Sequence, residues 1–448
     1  MKKDLTQGSI IKNLTVFSIP FVLSTLLQVL YGLADLFIIG QFNGADVITA
    51  VSVGSQFMHM VTVMIVGLAM GSTVMISHSI GAKDNLLTAK NIGNSCTLFG
   101  LLSICASILF ILLINPLTKI IAVPPESLNQ TKSYILICFT GIPLITGYNV
   151  VSSIYRGIGD SKSPMIFVAI ACVINIAIDY LLIGVYKMGA KGAALGTVIA
   201  QGFSLLLSVL FIAKKGIGVK LKKDDFIPSL KTVKAIFAVG LPIAIQDSFI
   251  QISFLVITAI ANTRGIQIAA AVGIIEKMIG IMFIVPSSTM SSISAISAQN
   301  AGAKLNQRAK KTLLYGMIIS SAISLIFIIV TEFTAEELTA LFTREENVII
   351  YGSQYLRAYV IDCLIAGLHF CFSGFFTAYQ KSKLSFIHNI ISVITTRIPL
   401  SYLATVLWPE NLFPMGLAAP LGSLLSVIIC LIFYAVYFKG EKINKLTA

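Results

Sequence analysis

Apolar positions along this chain come in long unbroken runs, not in the alternating or one-faced patterns of soluble strands and helices. Each run holds about 20 residues or more, enough for a helix to cross the roughly 30 Å hydrocarbon core of a bilayer. Twelve runs predict twelve transmembrane helices: Leu14 to Ile39, Ile48 to Ile76, Ile92 to Ile114, Tyr134 to Tyr155, Pro164 to Tyr186, Gly192 to Ala213, Val233 to Ala261, Ile268 to Ile296, Thr312 to Val330, Tyr355 to Ala378, Ser385 to Leu407 and Met415 to Phe438. The longest polar interruption, AKKGIGVKLKKDDFIPSLKTVK at 213–234, divides the chain nearly in half. The predicted fold class is an all-α polytopic membrane protein, with an N-terminal lobe at 1–213, a cytoplasmic linker at 214–232 and a C-terminal lobe at 233–448.

The two halves repeat one another. KNLTVFSIP (12–20) lines up with KAIFAVGLP (234–242), ISHSIGAKDNLLTAK (76–90) with SAQNAGAKLNQRAKK (297–311), and YRGIGDSKSP (155–164) with FTAYQKSKLS (376–385), at an offset near 221. An even number of spans separates equivalent points, so the repeat implies two six-helix lobes in the same orientation. Transporters are often built from such repeats, with binding sites near the bilayer midplane.

Composition agrees: 56% of residues are hydrophobic and 11% charged, against about 25% charged in soluble domains. The formal charge of +13 would suit a nucleic-acid partner if it were clustered, but it alternates between loops. With a cytoplasmic N-terminus, the inside segments hold 23 of the 32 Lys and Arg, from Lys2, Lys3 and Lys12 through the linker to Lys439, Lys442 and Lys445; the outside segments hold six. That asymmetry predicts both termini in the cytoplasm and calls for no nucleic acid. The opening MKKDLTQGSIIKN has no short h-region before a small-residue cleavage site, so the first apolar run reads as a retained helix. The seven cysteines all fall in predicted spans without a CxxC or Cys/His cluster, and read as packing residues.

Against this background five acids stand out: Asp35, Asp179, Asp247, Glu276 and Asp362 each fall inside an apolar span. An ionised acid at the centre of an isolated span costs about 2.5–3.5 kcal/mol on insertion scales, so each is expected to face a polar cavity, hold a cation or carry a proton. Asn175 lies one helical turn before Asp179, and Thr197 opens the next predicted span, within reach if the intervening turn is tight. Asp35, Asn175, Asp179 and Thr197 together form a hard-oxygen set suited to Na+ or to a shared proton. Pro20, on the helix that carries Asp35, lacks the N–H a straight helix needs and marks a place to bend. Asp247, near a predicted membrane face, and Glu276, next to Lys277, are secondary candidates with Asp362.

Other motifs have quieter readings. GIGD at 157–160 reads as a turn and helix start, and Gly67 with Gly71 as a close helix contact. His59, His78, His369 and His388 lack metal-ligand spacing. No P-loop, HExxH or nucleophile elbow occurs, so the chain is not expected to be an enzyme or to use a cofactor other than a coupling ion.

LTQGSIIKNLTVFSIP, ADLFIIGQFNG, SHSIGAKD, YRGIGDSKSP, NIAIDYLLIG, KGAALGTVIAQ and AQNAGAKLNQRAKK, in this order and spacing, give the chain a resemblance to the multidrug and toxic compound extrusion (MATE) transporters, DinF-like branch. The resemblance implies twelve helices in two lobes around a V-shaped cavity, exporting organic cations in exchange for Na+ or H+. In that branch a cation site in the N-terminal lobe falls on Asp35, Asn175, Asp179 and Thr197, and the bending proline on Pro20. The NorM-like branch has acids in the seventh and tenth spans; here Ile250 and Gln251 stand near the first, and Asp362 is out of register with the second. The expected partners are small lipophilic cations and membrane lipids, and the expected setting is a monomer in a prokaryotic plasma membrane. A flippase for lipid-linked precursors is the alternative; its pyrophosphate would need cationic cavity residues, for which only Lys277, Arg357 and Arg397 lie near the membrane interior.

Overall fold

A computed structural model describes residues 4–120 and 123–439, which leaves Lys2, Lys3, Lys442 and Lys445 of the charge pattern outside the described residues. The described chain is helical, without strands. In chain order the helices are α1 (Ile10–Phe42), α2 (Ala45–Gly81), α3 (Asn85–Leu112), α4 (Ile114–Ile120), α5 (Leu128–Thr140), α6 (Ile142–Gly157), α7 (Lys162–Asp179), α8 (Gly189–Lys215), α9 (Leu230–Asn262), α10 (Ile266–Met282), α11 (Ile284–Gly302), α12 (Asn306–Ala340), α13 (Glu346–Tyr359), α14 (Ile361–Ala378), α15 (Ser382–Ser392), α16 (Ile398–Leu407) and α17 (Phe413–Tyr437). A π-helical turn, Tyr180–Val185, prolongs α7, and another, Val393–Arg397, joins α15 to α16.

Among the described residues eleven helical stretches are long and apolar enough to span a membrane, and the pair α5 and α6, bent by 48°, makes a twelfth. The span expected from Tyr134 to Tyr155 is therefore built from two helices and not one. Gly141 separates the two halves and Pro143 sits in the first turn of α6, where its ring and missing N–H suit a helix start but not a helix interior.

The repeat seen in the sequence reappears as turn geometry. At the end of α2, Lys83 adopts φ +57° while its N–H reaches Ile80 O at 3.0 Å and that of Asp84 reaches Ser79 O at 3.0 Å. At the end of α11, Lys304 adopts φ +60° with the matching bonds to Ala301 O and from Leu305 to Asn300 O. Both are left-handed helix caps that satisfy the last free carbonyls. Gly159 after α6 and Gln380 after α14 form a second matched pair, with φ +92° and +59°. Asp160 accepts the N–H groups of Lys162 and Ser163 at 3.0 Å, so GIGD starts a helix as its residues suggest.

The chain packs as two compact units, one built chiefly of Ile19–Gly240 and the other of Leu5–Ser18 with the described part of Leu241–Ala448. Membership thus changes inside α1 and α9, one residue before Pro20 and one before Pro242. The segment expected to link two lobes, 214–232, lies within the first unit and is clamped to α3: Asn94 Nδ2 donates to Asp225 O and Ile227 O, and Asn94 Oδ1 accepts from Ser229 N. Gly71 lets α2 meet the start of α9, since a Cβ there would stand 2.2 Å from Ile236 O. In the second unit, Arg308 Nη2 holds the carbonyls of Gln7 and Gly8, and Gln299 Oε1 accepts from Leu5 N, fixing the approach to α1 on the α11–α12 turn.

Candidate functional site

Three helices of the first unit converge on one buried polar cluster. α1 brings Asp35, the last turn of α7 brings Asn175 and Asp179, and α8 brings Thr197, so all four residues singled out from the sequence meet. Thr197 Oγ1 donates to Asp35 Oδ2 at 3.3 Å, and Asn175 Nδ2 donates to Asp179 Oδ2 at 3.4 Å. The two carboxyl groups lie within hydrogen-bonding reach of each other. Asp179 is fully buried, and Asn175 and Asp35 nearly so. Thr197 does not open its span as expected: α8 begins at Gly189, two turns earlier, which places the hydroxyl well inside the helix.

The cluster is rich in acceptors and poor in donors. Asp35 Oδ1, Asn175 Oδ1 and Asp179 Oδ1 are buried and meet no donor. An isolated buried acceptor costs about 1–3 kcal/mol, and more when it bears charge. Like charges this close share a proton or a cation instead of both standing bare. Chemically the arrangement is a cradle for one small, hard positive charge.

Sequence reasoning missed three contributors. Gln201, one turn beyond Thr197, donates through Nε2 to the hydroxyl of Tyr31, one turn before Asp35, at 3.4 Å. Thus α1 and α8 are joined by two polar rungs, and the one-turn spacing from residues already chosen was the available signal. Gly196 is the third. A Cβ there would stand 1.8 Å from Asp179 Oδ1, so only a hydrogen atom leaves the carboxylate its place. The π turn begins immediately after Asp179, a geometry that recurs at functional positions in helices.

The remaining acids divide. Asp247, expected near a membrane face, lies near the middle of α9. Glu276 does not pair with Lys277; its Oε2 accepts from Thr258 Oγ1 at 2.9 Å. Successive helix residues point about 100° apart, which is why the neighbouring lysine is out of reach. Glu276 and Asp362 instead lie near enough to Arg397 for their charges to interact. His388 Nε2 meets Ser373 Oγ at 2.9 Å and its ring packs on that of His369, a packing role for both. All seven cysteines are free, and no group of three or more His, Cys, Asp or Glu converges among the described residues. Pro20 lies within α1, which runs through it unbroken, and Ser24 Oγ donates to its carbonyl at 2.9 Å.

Comparison with known proteins places the geometry in a wider set. The MatE family model matches residues 20–181 and 242–403, once in each half. The chain is 26% identical over 432 residues to a probable multidrug resistance protein, YpnP, of Bacillus subtilis, covering 96% of each. It is 22% identical over 441 residues to the multidrug export protein MepA of Staphylococcus haemolyticus, covering 98% of this chain and 96% of that one. A solved transporter of the MOP superfamily from Pyrococcus furiosus superposes with a TM-score of 0.92 at 20% identity, over 99% of this chain and 98% of the other.

Proposed function

This chain belongs to the MatE family of membrane transporters, and on that premise we propose that it exports small organic compounds, cationic ones foremost, in exchange for Na+ or H+. The observation that carries the reading is the buried pair Asp35 and Asp179 with its unmatched acceptor oxygens. A coupling cation entering from outside neutralises the pair, completes the shell offered by Asn175 and Thr197, and releases a cationic drug that competes for the same charge. Pro20, fifteen residues before Asp35 on α1, is where the neutralised helix bends. Both termini face the cytoplasm in this reading, which the alternation of basic loops supports.

Moving one positive charge outward against 100 mV costs about 2.3 kcal/mol. One inward cation per monovalent drug cancels that term, leaving the ion gradient alone to drive export. The flippase alternative loses ground on its three candidate cations. Arg357 pairs with Glu336 at 3.5 Å, Lys277 is exposed, and Arg397 is engaged by Tyr359 and Phe254.

The test is transport of a fluorescent organic cation in proteoliposomes, driven separately by an imposed Na+ gradient and an imposed pH gradient. Transport driven by one gradient and lost in Asp35→Asn, with the protein intact in the membrane, is the expected result. Full efflux by Asp35→Asn would sink the assignment, and no transport under either gradient would favour a lipid substrate.

A further inference from the structure

The second unit buries a charged cluster that the transport reading does not use. Arg397, at the end of its π turn, lays its guanidinium over the ring of Phe254 at 4.6 Å and that of Tyr359 at 5.7 Å, and Nη2 donates to the Tyr359 hydroxyl. Glu276 is held by Thr258, one turn from Phe254, and Asp362 follows Tyr359 by three residues, so both acids lie by the residues that meet the guanidinium and near enough to act on its charge without a direct ion pair. Glu276 Oε1, Asp362 Oδ1 and Arg397 Nε are all buried without a hydrogen-bond partner. Aromatic faces, a phenol and two carboxylates are the components of a cage for an organic cation.

The position of Arg397 sharpens this. Lys83 and Lys304 are 221 residues apart, as are Gly159 and Gln380, so the shared turns set that register between the halves. The π turn Val393–Arg397 admits one extra residue ahead of the guanidinium, which aligns Arg397 with Asn175 of the first unit. Its surroundings agree: Phe254 comes from α9, the counterpart of α1, and a Cβ on Gly422 of α17, the counterpart of α8, would touch Arg397 Cβ at 3.4 Å.

We propose that the second unit contains a cation cage formed by Phe254, Tyr359, Glu276 and Asp362, and that its occupant is the side chain of Arg397, a cation tethered to the chain. The cage accepts a free cation of the same chemistry, a guanidinium ion, only when the tethered one is removed. This goes beyond the transport reading and does not rest on it.

The experiment uses full-length purified protein carrying Asp35→Asn, to silence the first unit's site, and measures binding of millimolar guanidinium chloride by calorimetry and by thermal shift. Adding Arg397→Ala is expected to create saturable guanidinium binding that the Arg397-intact protein lacks. Further Glu276→Gln and Asp362→Asn should remove it. No binding gained with Arg397→Ala, or binding that survives loss of both acids, would overturn the proposal. If Arg397→Ala does not fold, Glu276→Gln with Asp362→Asn in the Arg397-intact protein asks the question from the other side. The caged guanidinium then loses its counter-charges and the melting temperature should fall by several degrees; an unchanged melting temperature would equally overturn the cage.

Discussion

Each unit buries one cluster of two acids, and the two clusters balance their charge in opposite ways. In the first unit Asp35 and Asp179 touch a hydroxyl and an amide and leave acceptor oxygens unmatched. In the second, Glu276 and Asp362 each leave an oxygen unmatched as well, but a positive charge is already present within their electrostatic range, the guanidinium of Arg397 laid against the rings of Phe254 and Tyr359. The helices that supply Asn175 and Arg397 are counterparts in a repeated fold, so the difference lies in the side chains they carry and in the π turn that places Arg397. On the proposed transport reading, the first site keeps that place open for a coupling cation, whereas the second fills it from its own sequence.

The strongest way to break the comparison is to neutralise one acid on each side. Asp179→Asn is expected to bring ion-driven export down to the liposome background while leaving the melting temperature within a degree or two, because a like-charge contact is relieved. Asp362→Asn is expected to do the reverse, lowering the melting temperature with coupled export retained, since removing a partner from a buried charge leaves the other uncompensated. Export lost equally in both would erase the distinction. A second, smaller contrast uses glycines. Gly196→Ala places a methyl group on Asp179 Oδ1 and should weaken coupling-ion affinity by about tenfold, or about 1.4 kcal/mol. Gly273→Ala, in open space on α10 of the second unit, should leave affinity unchanged and raise stability by about 0.4–1 kcal/mol. The mildest contrast replaces hydroxyls. Thr197→Val removes the donor to Asp35 and should shift the ion concentration for half-maximal transport several-fold, about 1 kcal/mol. Thr258→Val, which removes the donor to Glu276, should leave that concentration alone.

The fold was legible because burial in lipid leaves few options. Long apolar runs can only be helices, and the matched turns at Lys83 and Lys304 were visible as GAKD and GAKL. The bend at Gly141 was hidden by the apolar residues on both sides, with Pro143 its sole mark. In the first unit's site, Asp35 and Asp179 announced themselves by the energy needed to bury them, and Asn175 by its helical spacing. Tyr31, Gln201 and Gly196 gave no such sign, because a tyrosine, an amide and a glycine sit in a span at little penalty. The cage was illegible for a different reason: Glu276 and Arg397 are far apart in sequence, and the adjacent Lys277 offered a nearer but geometrically impossible partner.

Gly196 has a consequence for heredity as much as for binding. Its contribution is the space it leaves, so no chemically conservative replacement exists at that codon. A collection of random variants selected for loss of export, scored with no knowledge of the structure, should therefore return position 196 in the company of Asp35 and Asp179. Every amino acid recovered there should be defective whatever its polarity, with the severity following the bulk of the side chain and not its charge.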